Sequence, residues 1–89
     1  MAQSYKIAYT NEAFTRLKLQ PAKRRVRVRK IMASIAADPF AHHPNVERLK
    51  GRKDAFRYRL GDWRILYRLD RETRTVIVVD VWPRGRAYR

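Results

Sequence analysis

Residues 5–9, Tyr-Lys-Ile-Ala-Tyr, alternate in the period-2 manner of a short strand, and Thr10 or Asn11 can accept the unpaired N–H groups of a helix start. Ala13, Phe14 and Leu17 mark one face of a short helix, which Gln20-Pro21 ends. Pro fits the first turn of a second helix, where Val28, Ile31, Met32 and Ile35 recur at i, i+3, i+4 and i+7. Lys23, Arg24, Arg27 and Lys30 fall toward its other side, so this helix is amphipathic and basic. Asp38-Pro39 stops it.

Residues 40–54 hold Pro44, Gly51 and no sustained period, a length at which a loop is functional or hides a helical turn; residues 45–49 are assigned that turn. Strands follow at 56–60, 63–69 and 75–82. The order β-α-α-β-β-β predicts an α+β fold, a mainly antiparallel sheet packed by one face on two N-terminal helices. A length of 89 residues, with no linker, repeat or low-complexity stretch, makes residues 1–89 one domain.

Leu60-Gly61-Asp62-Trp63 has the chemistry of a two-residue hairpin turn, with Gly61 supplying positive φ. Pairing outward from it, Leu60 meets Trp63, Tyr58 meets Ile65 and Phe56 meets Tyr67, all on one apolar face. The opposite face gathers Arg57, Arg59, Arg64 and Arg68 around Leu66, a set that repels itself unless an anion sits there. A connection over residues 70–74 sets Leu69 against Thr75 and sends Ile77, Val79 and Val81 to the core. The same parity pairs Asp80 with Arg64 and points Trp82 and Arg84 to the arginine face.

Charge sharpens this picture. Nine basic and two acidic residues in 1–40, and thirteen and six in 41–89, put +7 on each part of a chain whose net charge is +14. The basicity belongs to the folded body and calls for a polyanionic partner. Zero cysteine excludes disulfides, thiolate catalysis and cysteine metal sites. His42 and His43, adjacent and without a carboxylate cluster, make a poor metal site and read as a loop or partner contact. No secretory leader pattern is present, and the longest wholly apolar runs, such as residues 76–79, are a few residues long, so a cytoplasmic protein without a membrane partner is expected.

The hairpin Phe56-Arg-Tyr-Arg-Leu-Gly-Asp-Trp-Arg-Ile-Leu-Tyr67, the hydrophobic strand after it and the tail Pro83-Arg-Gly-Arg-Ala-Tyr-Arg89 resemble the signature of RelE/ParE-type toxins, and a looser likeness, including Leu49-Lys50-Gly51, spans nearly the whole chain. In the RelE branch the resemblance implies a ribosome-dependent mRNA endoribonuclease acting at the ribosomal A site and neutralised by a cognate antitoxin. In the ParE branch it implies a DNA gyrase inhibitor on the same fold. Arg57 and Arg59, Arg64, Arg84 and Tyr88 fill the five positions that ribonucleolytic members use as catalytic residues, which favours the RelE branch. A non-catalytic RNA-binding module is the remaining alternative. Where many relatives have Gly-His-Arg this chain has Trp82-Pro83-Arg84, so the implied site lacks imidazole.

Cleavage by a neighbouring 2′-hydroxyl requires a proton acceptor, stabilisation of charge on the phosphate and a proton for the departing 5′ oxygen, but neither metal nor cofactor. Arginine, with a pKa above about 12, is no base, whereas a tyrosine phenol near 10 can be one beside cations. Tyr88 is therefore assigned the base, Arg57, Arg59 and Arg64 the phosphate clamp, and Arg84 the leaving oxygen. Lys23, Arg24, Arg27, Lys30, Lys53, Arg68 and Arg86 are expected to contact RNA backbone. Trp82 and Tyr67 are the aromatics available to stack on an mRNA base.

Overall fold

A computed structural model describes residues 4–83 and gives the order β1 (Lys6–Tyr9), α1 (Asn11–Lys18), α2 (Ala22–Ala37), β2 (Val46–Arg48), β3 (Ala55–Leu60), β4 (Trp63–Asp70) and β5 (Thr75–Pro83). The sheet order is β1-β5-β4-β3-β2, with β1 parallel to β5 and every other pair antiparallel. This is the expected α+β fold with one further strand. Residues 45–49 do not form a helical turn: Val46–Arg48 pairs with β3, its entry bent by Asn45 at φ +69°.

Local chemistry explains the helix boundaries. The Thr10 hydroxyl accepts the Ala13 N–H at 3.1 Å, capping α1, and donates to the Val79 carbonyl at 2.7 Å. Ala13 and Leu17 enter the core, but Phe14 does not; it is 56% exposed, with the Lys18 ammonium 5.7 Å from its ring. On α2, Val28, Met32 and Ile35 are buried and Ile31 packs at the core's margin. They meet Ile65, Tyr67, Leu69, Val76, Val78 and Val81 of the sheet.

The β3–β4 register is the predicted one: Leu60 faces Trp63, Tyr58 faces Ile65 and Phe56 faces Tyr67. The β4–β5 register departs from expectation by one residue. Asp70, not Leu69, faces Thr75, because Asp70 stays in the strand while its carboxylate accepts the Glu72 and Thr73 N–H groups at 3.1 and 3.3 Å and closes the turn. Val76 and Val78 therefore fill the core in place of Ile77 and Val79. The register then shifts: Tyr67 faces Val78 but Leu66 faces Asp80, leaving Val79 as the extra residue of a β-bulge. Past the bulge the predicted parity returns, and Val81 is buried while Trp82 faces Arg64.

Asp80 is consequently not the partner of Arg64. It is 5% exposed, bonds the Val81 N–H at 2.8 Å and pairs with Arg16 of α1 at 3.4 Å.

Candidate functional site

The candidate face grows from the hairpin. Alternation along β3 and β4 puts Arg57, Arg59, Arg64 and Arg68 on the sheet surface opposite the helices. Arg59 lies directly across from Arg64, a like-charge pairing that works against the sheet. Two local devices hold the charges. Arg64 donates from Nη1 to the carbonyls of Gly61 and Trp63 at 3.1 and 3.0 Å, folding back over the hairpin turn. Arg57 donates to Glu47, its cross-strand neighbour on β2.

Asn45, Val46, Glu47, Arg57, Arg59 and Arg64 line one concavity of about 460 Å³. Glu47, the carboxylate among these described residues, is held below the usual carboxylate range, first by the hydrogen bond and charge of Arg57 and then by Arg59 and Arg64. Glu47 is therefore ionised and feels all three guanidinium groups. Three cations against one anion leave the concavity net positive.

Glu47 and Asn45 are not legible in the sequence as site residues, because both depend on β2. Once Val46–Arg48 is a strand, the opposition of Glu47 and Arg57 follows from the register, and the Asn45 carbonyl accepts the Arg59 N–H at 2.9 Å.

The other expected residues are dispersed. Arg68 shares the arginine face, opposite Ala55 and Ile77, but lies outside the concavity. Lys53 is exposed in the turn before β3. Lys23, Arg27 and Lys30 line a neighbouring groove of about 620 Å³ floored by Val26, Ile31, Ile35 and Tyr58. The Arg24 guanidinium covers the Trp63 ring at 4.4 Å. Tyr67 is no stacking platform: it is 1% exposed, stacked on Phe56 at 5.3 Å, and burial pushes its phenol well above the usual value. Trp82 lies on the arginine face but is 5% exposed, which closes it to a base as well. Arg84, Arg86 and Tyr88 lie outside the described residues. Among the described residues no cluster of His, Asp and Glu is arranged for a metal ion, and no helix is long and apolar enough to cross a membrane.

Two helices on one face of a five-stranded sheet, with clustered arginines on the other, make up the RelE/ParE fold. The chain belongs to the ParE toxin family of type II toxin–antitoxin systems, parDE, whose profile matches residues 5–88. Among solved structures it is similar to RelE in the archaeal RelE–RelB complex from Pyrococcus horikoshii, at 24% identity and TM-score 0.79 over 94% of this chain and 99% of that one. It is similar also to the isolated E. coli RelE toxin, at 20% identity and TM-score 0.80 over 94% and 88%. The RelBE2 toxin–antitoxin complex from Mycobacterium tuberculosis aligns at 26% identity and TM-score 0.74 over 96% and 95%. Comparison with curated protein sequences finds no match.

Proposed function

We propose that this toxin is a ribosome-dependent mRNA endoribonuclease. The observation that carries the reading is the convergence of Arg57, Arg59 and Arg64 on one concavity, where Arg59 and Arg64 stand directly opposed. A phosphate placed there relieves that opposition and receives forked donors from several directions, the electrostatic stabilisation that commonly dominates such reactions.

The 2′-oxygen attacks the adjacent phosphorus; a bond forms between them as the bond to the 5′ oxygen breaks, leaving a 2′,3′-cyclic phosphate and a free 5′-hydroxyl. Arg57, Arg59 and Arg64 bind the non-bridging oxygens as charge grows on them. Glu47 anchors Arg57 and sets the direction of its fork. Tyr88 takes the 2′ proton and Arg84 steadies or protonates the departing oxygen. Groups so poor at proton transfer depend on a scaffold that orients the RNA, which makes the ribosomal A site the place of reaction in this reading. An acidic antitoxin that covers the basic surface is the matching inhibitor, in keeping with the RelE–RelB complexes among the similar structures.

Mapping mRNA 5′ ends in a translation reaction tests this. New ends inside codons, lost with Tyr88→Phe and with Arg64→Ala, are expected; intact mRNA in the presence of active toxin would refute it. The second reading is gyrase inhibition, favoured by the match to the ParE profile. Inhibited supercoiling that survives Arg84→Ala and Tyr88→Ala would establish it instead.

A further inference from the structure

We propose that Arg24 and Trp63 form a clasp that fixes the hairpin tip, making Arg24 a positioning residue rather than an RNA contact. Arg24 stands in the first turn of α2, and its guanidinium covers the Trp63 ring at 4.4 Å while Nη1 donates to Gln20 Oε1 at 2.9 Å. Both the aromatic face and the amide oxygen orient a planar cation, so the group is engaged on two sides before any ligand arrives.

The place of the clasp gives it leverage. Trp63 opens β4, pairs with Leu60 across the turn and faces Pro83 at the end of β5. The next residue, Arg64, reaches back to the carbonyls of Gly61 and Trp63, the same turn that Trp63 holds against α2. Arg59 is opposite Arg64, and Arg84 follows Pro83 in the chain. One stack therefore governs the element from which Arg64 projects, and the strand end that leads to Arg84. Among the described residues the stack is the cation–aromatic tie between this turn and α2. Gly61 and Asp62 are exposed, and a groove of about 660 Å³ lined by Pro21, Lys23, Arg24, Arg27, Leu60 and residues 61–63 runs between the tip and α2 where the stack bridges them.

The clasp rests on the reading of the arginine concavity as a phosphate clamp, but its mechanical part stands apart from catalysis. Arg24→Met keeps the aliphatic stem and loses the plane and the charge; Arg24→Lys keeps the charge and loses the plane. Amide exchange at residues 61–64 is expected to rise about fivefold in both variants, as befits loss of one partly buried stack. In ribosome-programmed cleavage, both should lower kcat about tenfold with KM within about twofold, since displacement of a catalytic group costs rate before binding. With a non-cleavable 2′-O-methyl oligoribonucleotide, the dependence of affinity on salt should be unchanged in Arg24→Met, whereas a lost phosphate contact would reduce the log–log slope by about 0.7.

Unchanged exchange in both variants overturns the clasp whatever the activity. A reduced salt slope in Arg24→Met, fully restored by Arg24→Lys, overturns it in favour of an ordinary phosphate contact. Absence of cleavage by the wild-type toxin would remove the nuclease reading, and the exchange experiment alone would then decide whether the clasp exists.

Discussion

Asp80 draws its ion-pair partner, Arg16, from the first helix at 3.4 Å, although four arginines stand on the sheet face to which its strand contributes. The pairing ties α1 to β5 beside the bulge, and the same carboxylate accepts the Val81 N–H. Asp80→Ala leaves the Val81 N–H unsatisfied and removes the partner of a half-buried guanidinium. A loss of about 2 kcal/mol is expected, a fall in Tm of roughly 10 °C for a domain this size. Arg16→Met should cost at least as much, because it strands the buried Asp80 carboxylate without its counter-charge, whereas an unpaired Arg16 retains access to water. Thermal denaturation of both variants checks the order.

If Arg59 belongs to the proposed phosphate clamp, it trades stability for function. Arg59→Leu removes a like-charge opposition from the sheet and should raise Tm by a few degrees, for a gain of about 0.5 kcal/mol. It should also lower mRNA cleavage about 100-fold, the scale of losing one preorganised donor. A variant that is both more stable and equally active would remove Arg59 from the clamp.

Glu47→Gln keeps an acceptor for Arg57 while deleting the negative charge that Glu47 brings to the concavity. Affinity for a non-cleavable oligoribonucleotide should tighten at low salt, and the salt slope should steepen by about 0.7 as Arg57 turns to phosphate. Cleavage should nevertheless slow, since a neutral amide oxygen fixes the direction of Arg57 less firmly than the carboxylate does. Titration by fluorescence polarisation across a range of salt concentrations measures the first two effects.

Acid should loosen the molecule through Asp54. Arg71 donates to both its carboxylate oxygens at 2.8 and 2.9 Å and, through those bonds first, holds it below the ordinary carboxylate value. A depressed folded pKa contributes stability that is present above the unfolded value, about 3.9, and disappears as pH falls through the folded one. Arg71→Met should therefore lower Tm at pH 7, with the gap to wild type closing below about pH 4. Parallel curves across that range would show that the pair does not stabilise the fold.

Most of the fold is legible because it is written in periods. The turn residues Gly61 and Asp62 fix the β3–β4 register, and with it the shared face of Arg57, Arg59 and Arg64. Val28, Met32 and Ile35 announce the buried stripe of α2. What escapes has no period of its own. Three residues, Val46–Arg48, are too few to show alternation, so β2 reads as a helical turn and Glu47 as a solvated charge. Asp70 reads as a loop residue because its side chain does loop chemistry while its backbone remains in β4. The extra residue at Val79 has no marker at all, since a run of valines reads alike in either phase.

The bulge at Val79 makes β5 two strands in succession, each answering to different neighbours. Before it, Val76 and Val78 keep step with Ile7 and Tyr9 of β1 on one side and with β4 on the other; beyond it, Val81 and Trp82 keep step with β4 alone. Thr10 sits at the joint, its hydroxyl gripping the Val79 carbonyl while its backbone N–H donates to the Val78 carbonyl at 3.0 Å. A one-residue change in the turn at residues 71–74 is thus expected to be taken up at this joint before it reaches Val81 and Trp82, and with them the pairing of Arg64.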